Sequence, residues 1–353
     1  MEKMKKIKGI IGVIAFLLIG VILFQLVSIV LLPDWFHSYS SDANQVKSLY
    51  EEPKNSLDVL FIGDSSVYMG VSPMEIWKDA GYATYCLSTP GQRTWISYYI
   101  LKEALQYQHP KMVILDMNET FNAVKADELA TRKVFDNMKW GKTKWEALND
   151  PTFQLSNYDK LTYLFPVLRY HSRWGQIQSN DFRRMRDDYY STFKGYVISK
   201  QIKKNSKKSE LLEQSEKDTN SQIQEDSLVY LKKIQNLCQE NNTQLILTAI
   251  PSLYTLSENR SHKIQEYANQ NDLTYFNLED HANINWDEDS LDGGYHLNTA
   301  GANKVTKCLT EYLEQTGEIQ SHQQDPNYQK WNEDFEIYKE TLQKIKETEV
   351  KET

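Results

Sequence analysis

The sequence predicts an α/β protein with a parallel sheet, interrupted by a helical insertion and preceded by one membrane-spanning helix. Three observations predict it. Over residues 57–116, short apolar runs alternate with segments of helical spacing, the pattern of successive strand-helix units. That rhythm stops after residue 120 and returns near residue 226. Residues 9–32 carry no charged side chain.

The charge-free stretch comes first in the chain. Its 24 residues span more than a bilayer core of about 30 Å at about 1.5 Å per residue, with modest tilt. Lys3, Lys5, Lys6 and Lys8 precede it, so the positive-inside rule puts residues 1–8 in the cytoplasm and the rest of the chain outside. Trp35 and Phe36 suit the outer headgroup level. A cleaved signal peptide has a shorter apolar core and a small-x-small exit, and Ser28 to Trp35 offers no such site. The expectation is an uncleaved anchor. The mean hydropathy of −0.61 makes the remainder a polar domain.

Residues 33–56 are a polar connector. Leu57 to Ile62 is a buried strand stopping at Gly63, Ser72 to Ala80 a short helix, and Ala83 to Leu87 a second strand. Trp95 to Tyr107 is a helix closed by His109-Pro110, and Lys111 to Asp116 a third strand. The insertion, about 121–225, is rich in aromatics and is expected to pack helically on the sheet edge or to act as a lid. Within it, Lys200 to Lys208 holds five lysines. Asp226 to Asn241 is an amphipathic helix with Leu228, Leu231, Ile234 and Leu237 on one face. Gln244 to Ile250 and Leu273 to Asn277 are further strands, Ser257 to Asn271 and Ala300 to Gln315 further helices. The domain therefore runs 57–320. In 321–353, Trp331, Phe335, Tyr338, Leu342 and Ile345 form an apolar stripe on one helix that packs back on the domain.

Composition narrows the function. Forty Lys and Arg against 48 Asp and Glu give a formal charge of −8 in 353 residues, which argues against a nucleic-acid binder. Cys86, Cys238 and Cys308 are too scattered for a disulfide framework or a zinc site. His109, His171, His262, His281 and His322 show no ligand spacing, and no cofactor is expected.

Two segments carry chemistry. In Gly63-Asp64-Ser65-Ser66 a strand ends, a glycine permits a tight turn and a serine follows at the carboxyl edge of the sheet. The helix after it turns N–H groups toward the same spot, which favours a developing oxyanion. In Asp292-Gly293-Gly294-Tyr295-His296-Leu297-Asn298, an imidazole and a carboxylate share one short loop before the last helix of the domain. A neutral imidazole can deprotonate a serine, and the carboxylate sets its tautomer. Asn298 or Thr299 would cap the helix.

Together these segments resemble the SGNH/GDSL hydrolase superfamily over roughly 57–120 and 226–315. The resemblance implies a flavodoxin-like three-layer sandwich, with Ser65 as nucleophile, His296 as base and Asp292 as acid. It also implies an oxyanion hole from the Ser65 N–H, Gly91 and Asn118. The family acid usually stands three residues before the histidine, where this chain has Gly293; Asp292 stands four before, and Asp289 is the reserve. Asn118 lacks the usual glycine-rich surroundings. The helix after Pro90-Gly91, the Phe193-Lys194-Gly195-Tyr196 segment and the Tyr295-His296-Leu297-Asn298 ending are also similar to anchored surface proteins of Gram-positive bacteria. Those are distant relatives of the D-alanyl-lipoteichoic-acid biosynthesis protein that works beside a membrane-bound O-acyltransferase. This implies an extracytoplasmic O-acyltransferase or esterase acting on a cell-envelope glycan or teichoic polymer. The alternative is a catalytically silent subunit that partners a membrane-bound O-acyltransferase.

Overall fold

The computed structural model describes residues 2–33, 45–122, 127–183, 190–255 and 257–352. Trp35, Phe36 and the rest of residues 34–44 of the expected connector lie outside the described residues. Helix α1 (Glu2–Leu31) is long and apolar enough to cross a membrane between Lys6 and Leu31. A short helix α2 (Gln45–Leu49) leads into β1 (Val59–Gly63), α3 (Ser65–Gly70), α4 (Pro73–Ala80), β2 (Thr84–Ser88), α5 (Thr94–Ala104) and β3 (Met112–Asp116). The insertion contributes α6 (Glu128–Phe135), α7 (Lys142–Leu148), α8 (Asn157–Leu164), α9 (Val167–Tyr170), α10 (Ser179–Arg183) and α11 (Lys208–Glu216). The α/β pattern resumes with α12 (Glu225–Glu240), β4 (Gln244–Thr248), α13 (Glu258–Gln270), β5 (Thr274–Phe276) and α14 (Thr299–Thr316), and α15 (Gln329–Glu352) closes the chain.

The five strands are all parallel, in the order β2-β1-β3-β4-β5. Alternation within each strand feeds two apolar layers. Leu60, Ile62, Val113, Leu115, Leu245 and Leu247 face one side with α5 and α12. Val59, Phe61, Met112, Ile114 and Ile246 face the other, under Val305, Leu309 and Leu313 of α14. The fold is the expected three-layer sandwich. The strand order reverses direction at β1, so the crevice beyond the carboxyl ends of β1 and β3 is where such sheets bind ligands.

Three local expectations shift. The buried face of α12 is Tyr230, Leu231, Ile234 and Cys238, and Leu228 is exposed, because the helix is turned to meet α5. Gly63 still belongs to β1, and its role is space: a Cβ there would lie 2.7 Å from the Asp116 Cβ and 2.6 Å from Val67 Cγ2. The insertion is not one lid. Its helices gather around the end of α1 and the flank of α5, and its return leg runs along β2, where Cys86 N donates to Lys194 O at 2.9 Å. That leg blunts an otherwise open sheet edge.

Helix α15 packs back on the domain. Trp331 lies 5.1 Å from Trp77, and Tyr338 is fully buried. Lys194, itself buried, pairs with Glu52 at 2.9 Å and with Asp334 of α15 at 3.1 Å. This ion cluster joins the connector, the insertion and the C-terminal helix at one point.

Candidate active site

The site forms where β1 ends. Asp64 caps α3 by accepting from Ser66 N at 2.9 Å, which fixes the turn and leaves Ser65 as the first helical residue. Its backbone N–H is among those a helix cannot satisfy internally. On the other side of the crevice, Asn298 caps α14 through Ala300 N and Gly301 N. The cap sets the direction of the preceding loop.

The structure brings Ser65, His296 and Asp292 together. His296 Nε2 lies 2.8 Å from Ser65 Oγ, and His296 Nδ1 lies 2.6 Å from Asp292 Oδ2. Asp292 Oδ1 accepts from His296 N at 2.9 Å and from Tyr295 N at 3.1 Å. The four-residue spacing is absorbed by two glycines in left-handed backbone, Gly293 (φ +90°) and Gly294 (φ +107°). Both donate to Ser290 Oγ, and Gly294 presses so closely on Leu253 that a Cβ would come within 2.6 Å of Leu253 Cδ1. The loop therefore curls back and returns Asp292 to the ring. Asp289, the reserve, instead accepts from Asn285 N and pairs with Lys304 at 2.6 Å.

Electrostatics follow from these contacts. Burial pulls the His296 pKa down, but the hydrogen bond and charge of Asp292, with Asp64 adding, outweigh it and hold the imidazole above its ordinary value. Burial pushes Asp292 up, and its bonds to His296 more than offset that, leaving it below the usual carboxylate range. The Asp292 and His296 side chains remain 35% and 26% exposed, so the insertion does not seal them from water.

The two other candidates are placed differently. Gly91 (φ +62°) lies in the turn after β2, three residues past Ser88, which pairs with Gly63. Asn118 is buried, and its amide nitrogen donates to Asp116 Oδ1 at 3.1 Å and Ile250 O at 2.8 Å. An oxyanion would have to replace one of those two acceptors.

Sequence reasoning missed the neighbours of this site. Asp116 ends β3 beside Gly63, and its Oδ1 also accepts from Ile250 N at 2.8 Å. Glu119 pairs with Arg93. A charged residue closing an otherwise apolar strand was the available signal for Asp116. Tyr254 and Tyr295 stack with ring centroids 3.6 Å apart next to His296, and both are exposed. Asn205 of the lysine-rich leg donates to Gly293 O and to Tyr254 OH, and Lys203 N donates to Ser290 O. The lysines lie against the triad loop, a neighbourhood that no spacing in the sequence announces.

A doubly wound sheet with a serine, an imidazole and a carboxylate hydrogen-bonded in line at its switch point has the constellation of serine acyl-transfer chemistry. No protein-family model matches the chain, and no curated protein matches it. Among solved structures it is similar to a GDSL-like lipase from Bacteroides thetaiotaomicron at 10% identity and a TM-score of 0.38, covering 79% of this chain and 100% of that one. It is also similar to a protein described as an acylhydrolase from Bacteroides fragilis (10%, TM-score 0.37, covering 77% and 94%). A third is described as a platelet activating factor from Streptococcus pneumonia (14%, TM-score 0.37, covering 76% and 91%). These likenesses are loose, and the sheet order and the side-chain geometry stand without them.

Proposed function

We propose that this chain is a membrane-anchored, extracytoplasmic serine O-acyltransferase or esterase of the SGNH type, acting on acyl esters of a cell-envelope glycan or teichoic polymer. The observation that carries the reading is the unbroken line Ser65 Oγ to His296 Nε2, and His296 Nδ1 to Asp292. In the first half-reaction Ser65 Oγ attacks the ester carbonyl carbon, and His296 takes its proton. Asp292 stabilises the resulting imidazolium. The oxyanion is held by the N–H groups of Ser65 and Gly91, with Asn118 as third donor once it releases Asp116 or Ile250 O. One such donor is typically worth about 2.7–4 kcal/mol of barrier. His296 returns the proton to the leaving alcohol as its C–O bond breaks. Water or a sugar or polyol hydroxyl then takes the acyl group from Ser65 by the same steps in reverse.

The polymer assignment is supported by the surroundings of the triad. Lys203, Lys204 and Lys207 are exposed on the leg that hydrogen-bonds the triad loop, in a chain of net charge −8, which suits an anionic acceptor. The stacked Tyr254 and Tyr295 offer an exposed aromatic face of the kind a sugar ring packs on. The test is fluorophosphonate labelling of the full chain: wild type labels, S65A does not, and H296A labels far more slowly. Wild type that fails to label while still binding a membrane-bound O-acyltransferase overturns the enzyme in favour of a silent partner subunit.

A further inference from the structure

The outer end of α1 is built into the domain. Val30, Leu31 and Leu32 are buried, as is Ser28, whose Oγ accepts from Val167 N at 3.3 Å. Gln25 Nε2 donates to Leu164 O, and the Phe24 ring meets Phe165 edge-on at 5.4 Å. Arg173 donates to the carbonyls of Leu31 and Leu32, satisfying acceptors that a helix end leaves open, and pairs with Asp181 at 3.2 Å. The helix that could cross a bilayer thus enters a socket made of α8, α9, α10 and the turn His171–Gln176.

The length of exposed helix fixes where this socket sits. Between Lys8 and Gln25 the helix rises about 25 Å, short of the roughly 30 Å of a hydrocarbon core. The lysines hold the inner end at the cytoplasmic face. A straight span from Gly9 therefore reaches the outer edge of the core near Ser28, which is already inside the socket. On the same segment Trp174, Phe182 and Leu161 are exposed, and exposed Trp140 packs on Phe165, continuing the aromatic contact that begins at Phe24 of α1. Tryptophan is the residue that belongs at this level, apolar body inward and N–H in the headgroups.

We infer that residues 157–182, with Trp140, form a collar that seats the domain on the lipid headgroups of the outer leaflet around the exit of α1. This rests on α1 being a retained anchor. The collar reaches the candidate site in two steps. Arg169 of α9 pairs with Glu128 of α6 at 2.7 Å, and Ala130 of α6 lies 3.5 Å from where a Cβ on Gly91 would stand. The turn that supplies an oxyanion N–H is thereby propped against the membrane-seated segment, and the acyl ester is met close to the bilayer rather than at the end of a free tether.

The test uses the full chain in phospholipid nanodiscs with and without bromine on the acyl chains near the headgroup, reading tryptophan fluorescence. W140F and W174F are each expected to lower the bromolipid-dependent quenching, additively in the double variant. W145F, which removes an exposed tryptophan of α7 on the flank of α5, is expected to leave it unchanged. Undiminished quenching in the double variant, with fluorophosphonate labelling retained as a check on folding, overturns the collar. Release of the wild-type chain from vesicles by alkaline carbonate overturns the anchor itself. A chain that resists carbonate while W140F/W174F keeps full quenching overturns the collar alone.

Discussion

Replacing Asp292 with asparagine changes one atom, and the structure dictates what that atom does. Oδ1 of Asp292 accepts from two backbone N–H groups, those of Tyr295 and His296. Those donors fix the amide of the variant: its oxygen must stay on them, so its NH₂ must face His296 Nδ1 across the present 2.6 Å contact. Two donors cannot face each other, so Nδ1 becomes the acceptor and the ring proton moves to Nε2. That nitrogen can then no longer accept the Ser65 proton. The loop keeps its bonds and the fold is unaffected. The expected loss in kcat is about 10³ to 10⁴, or roughly 4–5.5 kcal/mol of barrier, on the scale of wrong-tautomer triads.

The pH profile adds a second readout. His296 works as a base only when neutral. Because Asp292 holds its pKa above the ordinary value, wild-type kcat/KM should rise with pH through a limb above about 6.5. Without the carboxylate charge, burial is less opposed, and the limb moves to lower pH. The assay is hydrolysis of an activated phenyl ester, with the rate of fluorophosphonate labelling as a substrate-independent check. A D292N variant within tenfold of wild type, or one whose acidic limb does not move, would refute this assignment of the acid. Loss of activity in D289N with Asp292 intact would do so equally.

The other expectations test the scaffold and the chemistry separately. S65A should abolish fluorophosphonate labelling without lowering Tm, since Ser65 is partly exposed and, among the described residues, its hydroxyl bonds to the imidazole. G63A should lower stability by about 1–3 kcal/mol, the range for overpacking, because the new methyl meets Asp116 Cβ and Val67 Cγ2 inside 3 Å; an unchanged Tm would disprove the close approach. K194M should cost about 3–5 kcal/mol in a urea melt by leaving Glu52 buried without its cation, while Asp334 keeps Lys330 at 3.2 Å, and E52Q in the same chain should recover part of it. Burial already raises the Glu52 pKa against the pull of Lys194, so K194M should become more stable as pH falls and Glu52 takes up its proton.

Much of the fold was legible because the strands bury both faces. Runs such as Val59 to Ile62 and Val113 to Leu115 must be apolar throughout, and such runs stand out in the sequence. The meeting of Ser65 and His296 was legible for a different reason: Ser65 follows β1 directly, and His296 precedes the cap of α14 by two residues, so local signals locate each. That Asp292 could serve four residues back was visible only as the glycine pair, whose left-handed backbone closes the extra residue. What was not legible depends on long-range packing. Nothing local says that Arg173 will cap a helix that ends 142 residues earlier, or that Asn205 will bind the loop at Gly293. The face of α12 was misjudged because leucines at every third position suggested a stripe, while the tyrosine and cysteine at 230 and 238 are what α5 and the sheet accept.

Ser65 stands near three carboxylates, Asp64, Asp116 and Glu119, an unfavourable setting for an oxyanion unless their charge is reduced. The structure reduces it twice. Burial first, and then the charge of Asp64, pushes the Asp116 pKa well up, favouring the protonated acid. Its Oδ1 is occupied by Ile250 N and Asn118, while Oδ2 is buried with no hydrogen-bond partner among the described residues and is the oxygen placed to carry the proton. Glu119 is pushed up to about 7, by burial and then by Asp64, and Arg93 beside it supplies the opposing charge. A neutral Asp116 would also loosen its hold on the Asn118 amide, since an acid oxygen accepts more weakly than a carboxylate. Where Asp116 carries its proton, the field around Ser65 is quieter and Asn118 is held less tightly. Burying an acid at the end of β3 becomes compatible with acyl chemistry rather than opposed to it.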